Sequence, residues 1–225
     1  MQKIEDILKY ESNCFIPIIE NVSRECYTPI SLSSTNSNLK NIDITSVETC
    51  QSYIDAVLIK NNATVAYGGY LEKRNLYSKN SKFSATDDTT RNIHLGMDFW
   101  TKAGTNVLTP LDGVVHSYKN NAIHGDYGPT IILKHSIGDI TFYSLYGHLA
   151  VESIATIYVG KVFKKGVVLG SLGDPSINVG YAPHLHFQFI VDINDYKGDY
   201  PGVCAPRDLE FYAKNCPNPQ LLLFI

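Results

Sequence analysis

From His94 onward the sequence breaks into eight short apolar or alternating segments: HLGMDFW, NVLTP, GVVHSYK, TIILKH, ITFYSLYGHL, KVFKKG, VVLGSLG and HLHFQFIV. Turn signals such as LDG, NNAIHGDYGP and GDPSINVGYAP separate them. Short strands punctuated by Gly, Pro, Asn and Asp are the pattern of an all-β unit. Eight of them suffice for two packed sheets or a distorted barrel.

Residues 1–90 have a different texture. IEDILKY reads as a short helix, and SLSSTNSNLKN as a loop. Between Ser46 and Lys60, Val47, Tyr53, Ile54, Val57 and Leu58 recur at helical spacing, with Thr45 or Ser46 available as N-cap and Asn61-Asn62 as a stop. TVAYGGYLEKRNLY reads as a strand, a Gly-Gly turn and a second strand, and SKFSATDDTTRN as a polar connection. Near the end, PRDLEFYAKN reads as a helix with Pro206 near its start, after which CPNPQ ends regular structure. The expected division is a mixed α/β extension over 1–90 and a mainly β domain with a helical tail over 91–225.

In HLHFQFIV, residues two apart share a face, so His184, His186 and Gln188 stand together while Leu185, Phe187, Phe189 and Val191 form a core stripe. Two adjacent imidazoles oppose each other's protonation, a conflict that a shared ion removes. Two solvated or hydrogen-bonded histidines are the competing reading. In HLGMD the polar residues His94, Gly96 and Asp98 alternate with Leu95 and Met97. Four extended steps span about 13 Å, so one ion can reach both His94 and Asp98 only if the chain bends, and Gly96 permits a bulge there. A salt-bridged His/Asp pair on a helical turn is the alternative. His148, at the end of an aromatic strand, is weak evidence alone; His116, His124 and His135 receive no role. Together the pieces offer three protein ligands and leave one coordination position open, as a catalytic zinc site requires.

The sequence contains no GxSxG, P-loop or GxGxxG motif. Nineteen basic against twenty-two acidic side chains leave a formal charge of -3, which gives nucleic acid or an anionic membrane no reason to bind. No apolar run is long enough to span a membrane. In MQKIEDILKYESNCF charges interrupt every apolar run before a signal-peptide core forms, so the expected compartment is the cytoplasm, with export by another route left open. Cys14, Cys26, Cys50, Cys204 and Cys216 are odd in number and lack CxxC spacing, so free thiols are expected. No sequence feature specifies an oligomeric state.

HLGMDF resembles the HxGxD block of the lysostaphin/LytM-type zinc metallopeptidases. TKAGTNVLTPLDGVV, DYGPTIILKH, TFYSLYGHL, FKKGVVLGSLG and APHLHFQF resemble that family's further blocks in the family's order, over about residues 91–191. The resemblance implies a duplicated-hybrid-motif β-sandwich or barrel and one Zn2+ per chain. It also implies endopeptidase activity on peptides, usually peptidoglycan cross-links. By this match His94, Asp98 and His186 are metal ligands, and His148 and His184 the catalytic pair. Two other readings stand beside it: a non-hydrolytic binding or regulatory module on the same fold, and a histidine phosphocarrier, which has no need of Asp98.

Overall fold

A computed structural model describes residues 2–11, 15–75, 88–123, 125–178 and 180–223. The chain begins with helix α1 (Gln2–Glu11), then β1 (Tyr27–Pro29), α2 (Val47–Lys60), β2 (Val65–Gly68), β3 (Ile93–His94) and β4 (Met97–Trp100). Next come β5 (Asn106–Leu108), β6 (Gly113–Asn121), β7 (Gly128–Ile137), β8 (Ile140–Gly147) and α3 (Val151–Ala155). It ends with β9 (Val162–Phe163), β10 (Val168–Ser171), β11 (His184–Ile190), β12 (Val203–Cys204), α4 (Leu209–Asn215) and α5 (Gln220–Leu223). The protein is mainly β, and each of the eight short segments contributes strand residues.

The main sheet has the order β1-β2-β4-β11-β8-β7-β6-β9. β1 and β2 run parallel, and the other neighbours are antiparallel. β10 with β5, and β12 with β3, form two small two-stranded sheets. β11 lies between β4 and β8 and all seven of its residues are buried. Leu185, Phe187 and Phe189 point into the largest apolar cluster, each contributing roughly 1.5–3 kcal/mol on burial. His184, His186 and Gln188 occupy the other face, as strand periodicity requires.

The segment before residue 91 is built into this architecture. Ile4, Leu8, Ile16, Ile18, Ile19 and Val65 join Met97, Phe99 and Phe187 in one cluster. Ile30, Leu32, Cys50 and Ile54 pack with Trp100 and Ala182 in another. Helix α2 starts where the sequence placed it: the Ser46 hydroxyl accepts from the Thr49 backbone N–H, satisfying one of the unpaired first-turn donors.

Two expectations need correction. Among the described residues no second strand follows the Gly-Gly turn; over 70–75 only Lys73 makes a bridge, to Ile93. Gly69 (φ 101°) and Leu71 (φ 53°) both adopt left-handed backbone, which breaks strand pairing and turns this segment toward the site. Regular structure does not end at CPNPQ, because α5 follows and buries Leu222 and Leu223 in the core that α1 also covers. The sequence reading also passed over β1, α3 and β12, which have two to five residues each and are too short to show a period. Cys26, Cys50, Cys204 and Cys216 are free thiols, and Cys14 lies outside the described residues, as do residues 81–87 of the polar connection and His124. No helix among the described residues is long and apolar enough to cross a membrane.

Candidate metal centre

The bend anticipated at Gly96 separates β3, which pairs with β12, from β4, which joins the main sheet. His94 and Asp98 thereby reach one point from two directions. Gly96 lies so close to the next strand that a Cβ there would meet Cε1 and Nε2 of the His186 ring at 2.6 Å. Register brings in the third residue, because His186 pairs directly with Asp98 across β11 and β4.

His94 Nε2 and His186 Nδ1 lie 2.9 Å apart, and Asp98 Oδ1 is 3.3 and 3.2 Å from them. These separations are close to the roughly 3.3 Å edge of a tetrahedron with zinc-like bonds of 2.0–2.1 Å. The outer hydrogen bonds decide which atoms carry protons. His94 Nδ1 donates to the Gly69 carbonyl at 2.9 Å, and a carbonyl can only accept. Gln188 Nε2 donates to the Pro201 carbonyl, which turns Gln188 Oε1 toward His186 Nε2 at 2.9 Å and makes that nitrogen a donor. Hence both facing nitrogens of the neutral rings present lone pairs, alongside a carboxylate oxygen. Three lone-pair atoms this close, without a proton between them, repel one another unless a cation sits among them. His94, Asp98 and His186 therefore fit a metal ion.

The electrostatics agree. Burial, joined by the nearby Arg74 charge, lowers the His94 imidazole to about 4, so the ring is neutral at pH 7. Burial acts to raise the Asp98 carboxyl, but its positive surroundings, with the Arg74 guanidinium ion-paired to Oδ2, hold it well below the usual carboxylate range.

His184 and His148 flank this group, with ring centroids 4.2 Å apart. His184 Nδ1 donates to the Ala182 carbonyl at 2.7 Å, which leaves Nε2 unprotonated and 3.9 Å from Asp98 Oδ1. Trp100 stacks on the His184 ring at 5.8 Å. His148 follows β8 with φ 62°, an uncommon backbone for a residue other than glycine, and its N–H donates to the Tyr127 carbonyl at 2.7 Å. Its buried Nδ1 has no hydrogen-bond partner among the described residues. Burial lowers both rings, His148 far below its ordinary value, with the His184 charge adding to the effect there. All five residues singled out in the sequence thus converge on one cleft.

That cleft, about 280 Å³, is also lined by Leu32, Ile44, Val47 and Trp100 and by Asp126, Tyr127, Tyr196 and Asp199. His135 and His116 lie elsewhere. His135 is buried between the Asp112 carbonyl and the Ser144 hydroxyl, and His116 is bonded to Ser117, which are structural placements. The residue that sequence reasoning missed is Arg74. It is 2% exposed, and its Nη1 donates to Asp98 Oδ2 at 2.6 Å. The single available signal was three consecutive charged residues, Glu72, Lys73 and Arg74, separated from the Gly-Gly pair by two residues, a poor match to a strand that should alternate.

Residues 92–197 match the model of peptidase family M23. An uncharacterized metalloprotease of Haemophilus influenzae is 32% identical over 115 residues, 50% of this chain and 22% of its own length. The DD-carboxypeptidase/endopeptidase Mpg of Neisseria meningitidis is 34% identical over 99 residues, 44% of this chain and 20% of that protein. The chain thus spans about a fifth of the length of these curated relatives. Among solved structures, the catalytic domain of the antimicrobial peptidase lysostaphin from Staphylococcus simulans is 26% identical with a TM-score of 0.39, covering 54% of this chain and 80% of that one. All five convergent residues fall inside the stretch, residues 92–197, that matches peptidase family M23.

Proposed function

We propose that the chain is a zinc-dependent endopeptidase that hydrolyses short peptide bonds, with peptidoglycan cross-links as its substrate. The observation that carries this reading is the set of three converging lone-pair atoms, His94 Nε2, Asp98 Oδ1 and His186 Nδ1, whose outer partners leave no proton between them. The names of the relatives, a metalloprotease and a DD-carboxypeptidase/endopeptidase, support the reaction class. A zinc ion at these atoms supplies Lewis-acid polarisation of the scissile carbonyl and lowers the pKa of a water toward about 7.

The chain's own residues do the rest. His184, fixed as the Nδ1–H tautomer by the Ala182 carbonyl, accepts the proton of the attacking water at Nε2. Its lowered basicity keeps it neutral, and so competent to accept, at pH 7. His148, whose buried Nδ1 has no hydrogen-bond partner among the described residues, donates a hydrogen bond to the oxygen that becomes negative in the tetrahedral intermediate. Gly69 and Gln188 hold the two metal-facing imidazoles in their working tautomers.

The test is digestion of purified muropeptides and of glycine-rich peptides by zinc-loaded protein, followed by mass spectrometry. New amine and carboxyl ends are expected, and they disappear with chelator. A metal-replete protein that cleaves nothing in a broad peptidoglycan and peptide panel contradicts the proposal.

A further inference from the structure

We infer that Arg74 is a positioning residue of the metal centre, supplied by the segment that precedes the family-matched stretch, and that it fixes which oxygen of Asp98 faces the metal. This rests on the reading of His94, Asp98 and His186 as metal ligands.

Asp98 has two oxygens in different surroundings. Oδ1 looks toward His94 Nε2, His186 Nδ1 and His184 Nε2 at 3.3, 3.2 and 3.9 Å. Oδ2 is taken by Arg74 Nη1 at 2.6 Å. The guanidinium is itself fixed: Nε donates to Glu72 Oε2 at 2.7 Å, and the Ser31 hydroxyl donates to Glu72 Oε1 at 2.6 Å. A buried arginine is costly unless its charge is matched, and two carboxylates match it here. The guanidinium, spanning Glu72 through Nε and Asp98 through Nη1, holds Asp98 with Oδ2 outward and Oδ1 turned inward.

The same side chain reaches the proton-transfer side. Its Cζ lies 5.6 Å from the Trp100 ring centroid, and Trp100 in turn stacks on His184. The turn that delivers Arg74 also delivers the Gly69 carbonyl to His94 Nδ1. A Cβ on Gly69 would lie 1.9 Å from Arg74 Nη2 and 3.0 Å from His94 Nδ1. Residues 69–74 therefore brace two of the three ligands, although the family match begins only at residue 92. A salt bridge serving only to tie this segment down would predict a loss of stability and no change in the metal's coordination.

The experiment compares full-length wild type, Arg74→Met and Arg74→Lys by titration of the metal-free protein with Co2+, reading dissociation constants and the visible spectrum. Loss of outer partners of metal ligands weakens binding about 10–100-fold, and that is expected for Arg74→Met, with a changed cobalt spectrum as Oδ2 becomes free to coordinate. Arg74→Lys keeps a cation for Oδ2 but loses the fork, so a smaller loss is expected. Wild type that binds Co2+ and an Arg74→Met variant with the same spectrum and an equal or tighter constant overturn this inference and leave the metal reading standing. Wild type that takes up no metal overturns both. If Arg74→Met does not fold, Glu72→Gln decides: weaker Co2+ binding with an altered spectrum supports the inference, and an unchanged constant and spectrum overturn it.

Discussion

The chemistry-bearing stretch and the stretch before it build the same site by different means. Residues 92–197 supply all five histidine and aspartate side chains from strands or strand ends, where register places them. Residues 16–75 supply braces and walls: the Gly69 carbonyl, the Arg74 guanidinium, and Leu32, Ile44 and Val47 along the cleft. The first contribution needs chemically competent side chains at fixed register. The second needs only a chain that turns correctly and packs, with β2 paired to β4 and Ile18 and Ile19 buried beside Phe99. Family resemblance follows the first kind of contribution, so a site's support can lie outside the recognisable domain.

The largest expected effects fall on the chemistry-bearing stretch. His94→Ala and His186→Ala each remove a ligand, and both should lose stoichiometric zinc and fall to background hydrolysis. Elemental analysis beside a muropeptide assay checks this. Next, His184→Ala and His148→Ala should keep zinc yet lose about 10²–10⁴-fold in kcat, the usual size of a general acid–base contribution. Zinc retained with unchanged kcat in either variant would remove that residue from the mechanism.

On the supporting side, Ile19 is fully buried, and Ile19→Ala should cost about 2–5 kcal/mol, measured by urea unfolding. A cost under about 0.5 kcal/mol, the size of a surface substitution, would mean that the preceding stretch is attached loosely and the comparison fails. The smallest effect concerns pH. His135 is held near 4 by burial, against an ordinary 6.5. Below pH 6.5 the unfolded chain binds a proton that the folded chain refuses, so stability is lost as pH falls from 6.5 toward 4. From His135 alone that amounts to about 2 kcal/mol by pH 5. Unfolding of wild type and His135→Gln at pH 7 and pH 5 measures it, and the variant should show the shallower loss.

How much was legible follows from the same contrast. Alternation in HLHFQFIV exposed His184, His186 and Gln188 on one face, because a strand's period of two is written directly into its sequence. The bend at Gly96 followed from reach alone, since a straight strand could not bring His94 and Asp98 together. Arg74 was not legible. Its partner lies 24 positions away, and it sits in irregular chain shaped by two left-handed residues, Gly69 and Leu71, which no periodicity reports. The backbone of His148 was hidden for a similar reason: the histidine, not the glycine before it, has positive φ, with its N–H bonded to the Tyr127 carbonyl and its carbonyl to the Gly173 N–H.

The most direct test of the central claim is an anomalous difference map collected at the zinc edge from crystals of the zinc-loaded full chain. The account predicts one peak within about 2.0–2.2 Å of His94 Nε2, Asp98 Oδ1 and His186 Nδ1. A map with zinc bound at other atoms, or with no peak between these three, contradicts it.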